Sequence, residues 1–323
     1  MLKKLFITGT IAALMTGTAL AQDVTLRLAH FAAETHPGHL AAQAFAKAVT
    51  ERTGGAIKVE LFPANQLGSP PEQLEQTILG AIEMNLPTQG ALDKYEKAFG
   101  TVMTPFAFDS YEQAHAVLDG PFSEWAGPKL EEQGLVMLSN WEYGFRNITN
   151  TLRPINTPED VKGLKLRTPS ELQIVAALEG LGASTTQIAF NELPNALNQG
   201  VVDGQENPIG VISHYNLNDF QEHLAITRHV YNSMVQVINK DVFYSLTAEQ
   251  QTILREESKK AGDMMRAAVI AQEDEELAAL EAAGMKVTRP HLAPFAALMG
   301  PARARVADYS GKENMDKFLS FLK

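Results

Sequence analysis

The chain has 323 residues, 45% hydrophobic and 20% charged, a length that suggests two domains and a composition with ample apolar material for a core. Thirty-eight acidic against 27 basic residues give a net charge of -11, which argues against nucleic acid as a partner, because phosphate binding needs a basic surface. Cysteine is absent, which excludes disulfides, Cys-ligated zinc or iron–sulfur sites, thiol nucleophiles and Cys-based lipid anchors.

Lys3 and Lys4 precede an uncharged, apolar or small-residue stretch from Leu5 to Leu20. It ends in Ala19-Leu20-Ala21, the small-x-small pattern of a secretory signal peptide, and it is short for a membrane span. Residues 1–21 are therefore expected to be removed by cleavage after Ala21. That leaves 302 residues with a net charge of -13, free in the periplasm.

Val24, Leu26 and Leu28 alternate with polar residues, a strand pattern that ends at His30. Pro37-Gly38 open a helix that Gly54-Gly55 stop, and Ile57 to Phe62 is a second strand. A loop from Pro63 to Pro71 leads to a helix over Glu72–Leu79 and a strand over Ile82–Leu86. The rhythm returns as a strand at Leu164–Arg167, a helix opened by Pro169-Ser170, a strand reaching Ile188 and a helix over Asn191–Gln199. Strand–helix–strand repetition implies a mainly parallel sheet covered by helices. Thr247-Ala248-Glu249-Gln250 is a capping box, and no proline follows before Gly284. A helix of about 54 Å results at 1.5 Å per residue, either bracing two lobes or breaking near Gly262. Its Glu273-Asp274-Glu275-Glu276 run reads as a solvated face.

Phosphate-loop, nucleophile-elbow, zinc-protease and dinucleotide-binding signatures are missing, which moves the reading away from an enzyme. His30, His36 and His39 surround Glu34 without a metal-ligand spacing, and no metal or cofactor is expected. His30 stands at the end of the first strand, where open α/β sheets bind ligands. Arg167 has the same placement, beside a helix start, and a guanidinium there suits a carboxylate.

Gly163-Leu164-Lys165-Leu166-Arg167-Thr168-Pro169 and Gln199-Gly200-Val201-Val202-Asp203-Gly204-Gln205-Glu206-Asn207-Pro208 resemble the signature segments of DctP-type TRAP-transporter substrate-binding proteins. Phe62-Pro63, Gln66-Leu67-Gly68, Pro105-Phe106-Ala107-Phe108, Gly144-Phe145-Arg146 and Thr157-Pro158-Glu159-Asp160 extend the likeness over nearly the whole mature chain. The resemblance implies an α/β periplasmic-binding-protein fold of two lobes, joined by crossing strands and a long helix, with the ligand cleft between them. Lobe one would hold residues 23–143 with 233–272, and lobe two 144–232 with 273–323. It implies that Arg167 grips a ligand carboxylate, with Arg146 and Asn207 as partners and Phe190 as an aromatic floor. At positions where the sialic-acid branch has polar and charged groups this chain has Ser69, Thr88 and Ala91, so sialic acid is not expected. His30, Glu34, Gln89 and Trp141 are the candidates for reading the non-carboxylate end.

The expected function is capture of a small organic acid and its delivery to a TRAP-type membrane permease, by a monomer. A hydroxylated acid, such as a uronate or other sugar acid, is favoured over a C4-dicarboxylate, because an acidic Glu34 would repel a second carboxylate. A periplasmic enzyme on such acids and a sensory binding protein are the competing classes.

Overall fold

Residues 24–323 are described by the computed structural model. Strand β1 (Val24–Ala29) buries Leu26 and Leu28 completely, and it pairs in parallel with β2 (Ile57–Phe62) and β3 (Met84–Asn85). A second parallel group follows: β5 (Lys165–Thr168) lies between β6 (Ser184–Gln187) and β7 (Gly204–Asn207). Two long strands join the groups. Strand β4 (Leu135–Asn150) and β8 (His223–Asn239) run antiparallel to each other through both halves of the molecule. The order is β2-β1-β3-β8-β4-β7-β5-β6, with β9 (Lys286–Thr288) beside β8. The fold is thus a two-lobed α/β architecture whose outer sheet regions are parallel and whose centre is antiparallel.

The helices start where capping chemistry allows. Ser69 and Glu72 form a capping box, so the helix Pro70–Ile78 begins two residues before the expected point, with proline at its first position. Ile82–Leu86 contributes only Met84–Asn85 as strand. The helix after β5 begins at Leu172, not at Pro169-Ser170, which leaves residues 169–171 as a loop.

The helix Ala248–Ala282 runs unbroken for 35 residues, with its predicted capping box in place. Gly262 does not break it. A Cβ at this position would lie 2.5 Å from the Asn140 carbonyl oxygen and 3.0 Å from the Trp141 ring, so glycine is what lets the helix lie directly on β4. Gly262→Ala is expected to lower stability by about 1–3 kcal/mol through this overpacking, with helix content unchanged. Chemical denaturation followed by circular dichroism checks it. The acidic run is only half solvated. Asp274 and Glu275 are exposed, but Glu273 accepts a 2.9 Å hydrogen bond from the Tyr111 hydroxyl, and Glu276 lies 2.9 Å from His214. Near its other end, Arg52 reaches Glu256 and Glu257 at 2.6 Å. No helix among the described residues is long and apolar enough to cross a membrane.

Candidate functional site

β1 ends at Ala29, β3 at Asn85, β5 at Thr168, β6 at Gln187 and β7 at Asn207. Ligands in open α/β sheets bind beyond the carboxyl ends of parallel strands. The segments that leave these ends wall one cavity of about 260 Å³. Phe31, Thr88, Glu171 and Phe190 belong to such segments, Asn85, Arg167, Gln187 and Asn207 sit on the strand ends themselves, and Tyr143 and Arg146 enter from β4. The size suits a small molecule.

Arg167 is buried in this wall. Its Nε donates to the Ile188 carbonyl at 2.8 Å, while neither Nη has a protein partner among the described residues. Burial, reinforced by the charge of Arg146 and opposed by Glu206, pushes its pKa down to about 10. The guanidinium lies 5.8 Å from the Phe190 ring centroid. A buried cation with its fork free is an anion site, because an ion pair would relieve the desolvation it now carries.

Arg146 is held differently. Its Nε donates to Glu206, and its Nη2 reaches Glu206 Oε1 at 2.6 Å, the Glu206 carbonyl at 3.0 Å and Asn207 Oδ1 at 3.1 Å. Burial alone would lower its pKa, but Glu206 outweighs burial and raises it. Burial likewise pushes the Glu206 carboxyl up, but Arg146, with His229 Nε2 at 3.3 Å, outweighs it and holds the group below the ordinary carboxylate range. Asn207 Oδ1 also accepts from the Tyr143 hydroxyl at 3.4 Å, and its Nδ2 donates to Gln205, which leaves one N–H for the cavity. Across the cavity, Asn85 donates to Gln73 at 3.2 Å and Gln73 donates to Asn65 at 3.2 Å, so this wall offers amide groups in fixed positions.

Of the residues singled out in the sequence, Arg146, Arg167, Phe190 and Asn207 meet in this cavity. His30, Glu34, Gln89 and Trp141 do not line it. His30 is fully buried with its Nε2 3.3 Å from His39 Nδ1. Glu34 is an exposed turn residue. Gln89 is buried and donates to Asn140 at 2.8 Å. Trp141 is core beneath the long helix, with its indole N–H on Ser139 at 3.1 Å. Glu206, Tyr143, Glu171 and the Asn65–Gln73–Asn85 group were not anticipated. Glu206 and Glu171 did carry a signal, since each stands within four residues of an anticipated site residue.

The histidines beside the site are structural. His36 caps its helix, accepting from the Gly38 N–H at 3.0 Å. Burial takes His30 from 6.5 to about 3, with His39 adding to it, and takes His36 from 6.5 to about 3, with His214 adding to it. A depressed folded pKa means the unfolded chain gains the proton first. Stability is complete above the unfolded value of 6.5 and is lost as pH falls towards 3, by up to about 1.4 kcal/mol per pH unit for each histidine. Melting temperature should fall steadily below pH 6.5, and His30→Asn should flatten that slope. Among the described residues no group of three or more His, Asp or Glu is arranged to hold a metal.

Comparison with known proteins gives a consistent picture. A family model described as bacterial extracellular solute-binding protein, family 7 (DctP), matches residues 28–308. The chain is 32% identical over 283 residues to the 2,3-diketo-L-gulonate-binding periplasmic protein YiaO of Escherichia coli, covering 88% of this chain and 85% of that one. A TRAP periplasmic solute-binding protein from Sulfitobacter, solved with β-D-galacturonate, superposes with a TM-score of 0.88 at 30% identity, over 92% of this chain and 99% of that one. One from Polaromonas, solved with D-erythronate, gives 0.88 at 30% identity, over 92% and 98%.

Proposed function

Because the chain belongs to the bacterial extracellular solute-binding proteins of family 7, the ligand-binding components of TRAP transporters rather than enzymes, we propose that it captures a small hydroxylated monocarboxylate, a uronate or other sugar acid, for a TRAP-type permease. The observation that carries this reading is Arg167, buried at the cavity wall with both Nη groups free. Arg167 grips the carboxylate with two parallel hydrogen bonds. The free N–H of Asn207 and the remaining Nη of Arg146 complete the clasp, and Phe190 floors it. The amides of Asn65, Gln73 and Asn85 meet the hydroxylated end, a role the sequence reading had given to His30, Glu34, Gln89 and Trp141.

The chain works as a monomer in the periplasm after cleavage behind Ala21, in a segment outside the described residues. Lobe one comprises 23–143 with 233–272, and lobe two 144–232 with 273–323. With that division, the hydrogen bonds that cross between the lobes include Thr88 to Glu171 at 2.8 Å and Gln173 to Asp93 at 2.7 Å. Opening breaks them, and the crossing strands near residues 143 and 233 serve as hinges. Small-angle scattering should show a smaller radius of gyration on ligand saturation.

A melting screen against uronates, aldonates and C4-dicarboxylates tests the function. The expected result is a rise in melting temperature with a sugar acid that is recovered chemically unchanged. Consumption of the acid would make the protein an enzyme. A succinate shift equal to that of every sugar acid would replace the sugar-acid reading with the dicarboxylate one.

A further inference from the structure

Glu171 is an acid in the wall of a cavity built for an acid. It stands at the cap position of the helix Leu172–Gly180, yet its side chain makes no capping hydrogen bond. It turns into the cavity instead, nine-tenths buried. Its Oε1 accepts from the Thr88 hydroxyl at 2.8 Å, and its other oxygen has no hydrogen-bond partner among the described residues. The facing segment is shaped around it. A Cβ on Gly90 would lie 2.5 Å from Met103 Sδ and 2.7 Å from Glu171 Cγ, so a larger residue there would crowd both side chains. Thr88 is fixed in turn, since its hydroxyl accepts from the Ala91 N–H at 3.1 Å.

Charge arithmetic gives this placement a consequence. Glu206 neutralises Arg146 from behind the wall, and Glu171 is the one acid among the residues that line the cavity, beside Arg167. The empty site therefore balances two guanidiniums with two carboxylates. One ligand carboxylate on Arg167 leaves a single net negative charge, whereas a second ligand carboxylate adds another in a site shielded from water, where like charges repel strongly. A ligand hydroxyl does the opposite, donating to an oxygen that has no protein partner among the described residues. On the basis of the carboxylate-binding reading above, we infer that Glu171 is the selectivity residue of this cavity. It accepts hydroxyl donors from a hydroxylated monocarboxylate and rejects dicarboxylates by charge.

Titration calorimetry of wild type and Glu171→Gln with D-galacturonate, D-galactonate and succinate tests this, with apo melting and circular dichroism as checks on folding. The isosteric amide keeps the shape and removes the charge. Glu171→Gln should weaken the tighter sugar acid at least 10-fold and strengthen succinate, so that their affinity ratio changes more than 10-fold. Gly90→Ala, whose added Cβ crowds Glu171 and Met103 without altering any charge, should weaken the sugar acid as well. An unchanged ratio in a folded Glu171→Gln protein overturns the inference while leaving carboxylate capture intact. Wild-type binding of succinate as tight as that of the sugar acids also overturns it. Wild-type binding of none of the three overturns the carboxylate reading and this inference together.

Discussion

Arg167→Lys is expected to lose at least 100-fold in affinity for the ligand acid while the protein folds normally. An ammonium carries the same charge but cannot present two parallel N–H groups to a carboxylate, and its shorter reach leaves the anion partly unpaired in a dry site. Removing one partner of a buried, hydrogen-bonded charge pair costs about 2–5 kcal/mol. The companion variant Arg167→Met has a sharper signature. In the free protein this guanidinium is buried with only the Ile188 carbonyl as a fixed partner, and burial already pushes its pKa down to about 10. Replacing it by an apolar side chain of similar size removes that desolvation but leaves Glu171 without its neighbouring cation, so the two effects on stability oppose each other. Arg167→Met should therefore still fold and melt cooperatively without ligand, and show no ligand shift. Titration calorimetry and apo melting curves check both. Full affinity in Arg167→Lys, or a ligand shift retained in Arg167→Met, counts against the assignment.

Glu206→Gln should be the most destabilising single change in the site, by about 3–5 kcal/mol, because it leaves the Arg146 guanidinium buried without its counter-ion. The second guanidinium of Arg167 in the same cavity adds repulsion. The same pair predicts a pH response. Arg146 and His229 hold the Glu206 carboxyl below its ordinary range, so this contribution is present above the unfolded carboxylate value and is lost as pH falls through the folded one. Glu206→Gln should remove that acid-side loss as well as the stability itself. Urea denaturation at pH 7 and pH 4 measures both, and a loss under about 1 kcal/mol at pH 7 would contradict the buried-pair account.

Local pattern located the parallel strands and their helices, because β1, β2 and β5 carry short segments whose ends are marked by glycine, proline or caps. It was blind to β4 and β8. Both strands are buried on both faces over most of their length, so the alternation that betrays a half-buried strand is absent. Asn140, Glu142, Asn147, Asn232 and Gln236 inside them disguise buried strands as polar segments. Only the likeness to a known family implied crossing strands at these places.

The site was legible where chemistry and strand ends coincide. Arg167 stands one residue before the end of β5 and Asn207 ends β7, and both reach the cavity. His30 stands just beyond β1, yet its imidazole turns to His39 and not to the cavity, and Phe31 after it supplies the wall. A one-residue step reverses the side a side chain faces, and no pattern in six residues of strand fixes which of the two points inward. Trp141 was misplaced for a different reason. Its position near Arg146 on the same strand hid the bulges between Met137 and Ser139 and between Glu142 and Gly144, which re-aim the side chains, and the glycine contact that draws the long helix onto it. Glu34, expected from the sequence to disfavour dicarboxylates, is exposed, whereas the acid that lines the cavity is Glu171.

The central claim is that a ligand carboxylate sits on the free fork of Arg167. A crystal structure of the protein saturated with the sugar acid that gives the largest melting shift tests it most directly. The account predicts a carboxylate with both oxygens within hydrogen-bonding distance, about 2.7–2.9 Å, of the two Nη groups of Arg167, flanked by Asn207. A ligand bound elsewhere, or bound in this cavity with its carboxylate turned away towards Asn65 and Gln73 and Arg167 left unpaired, would contradict it.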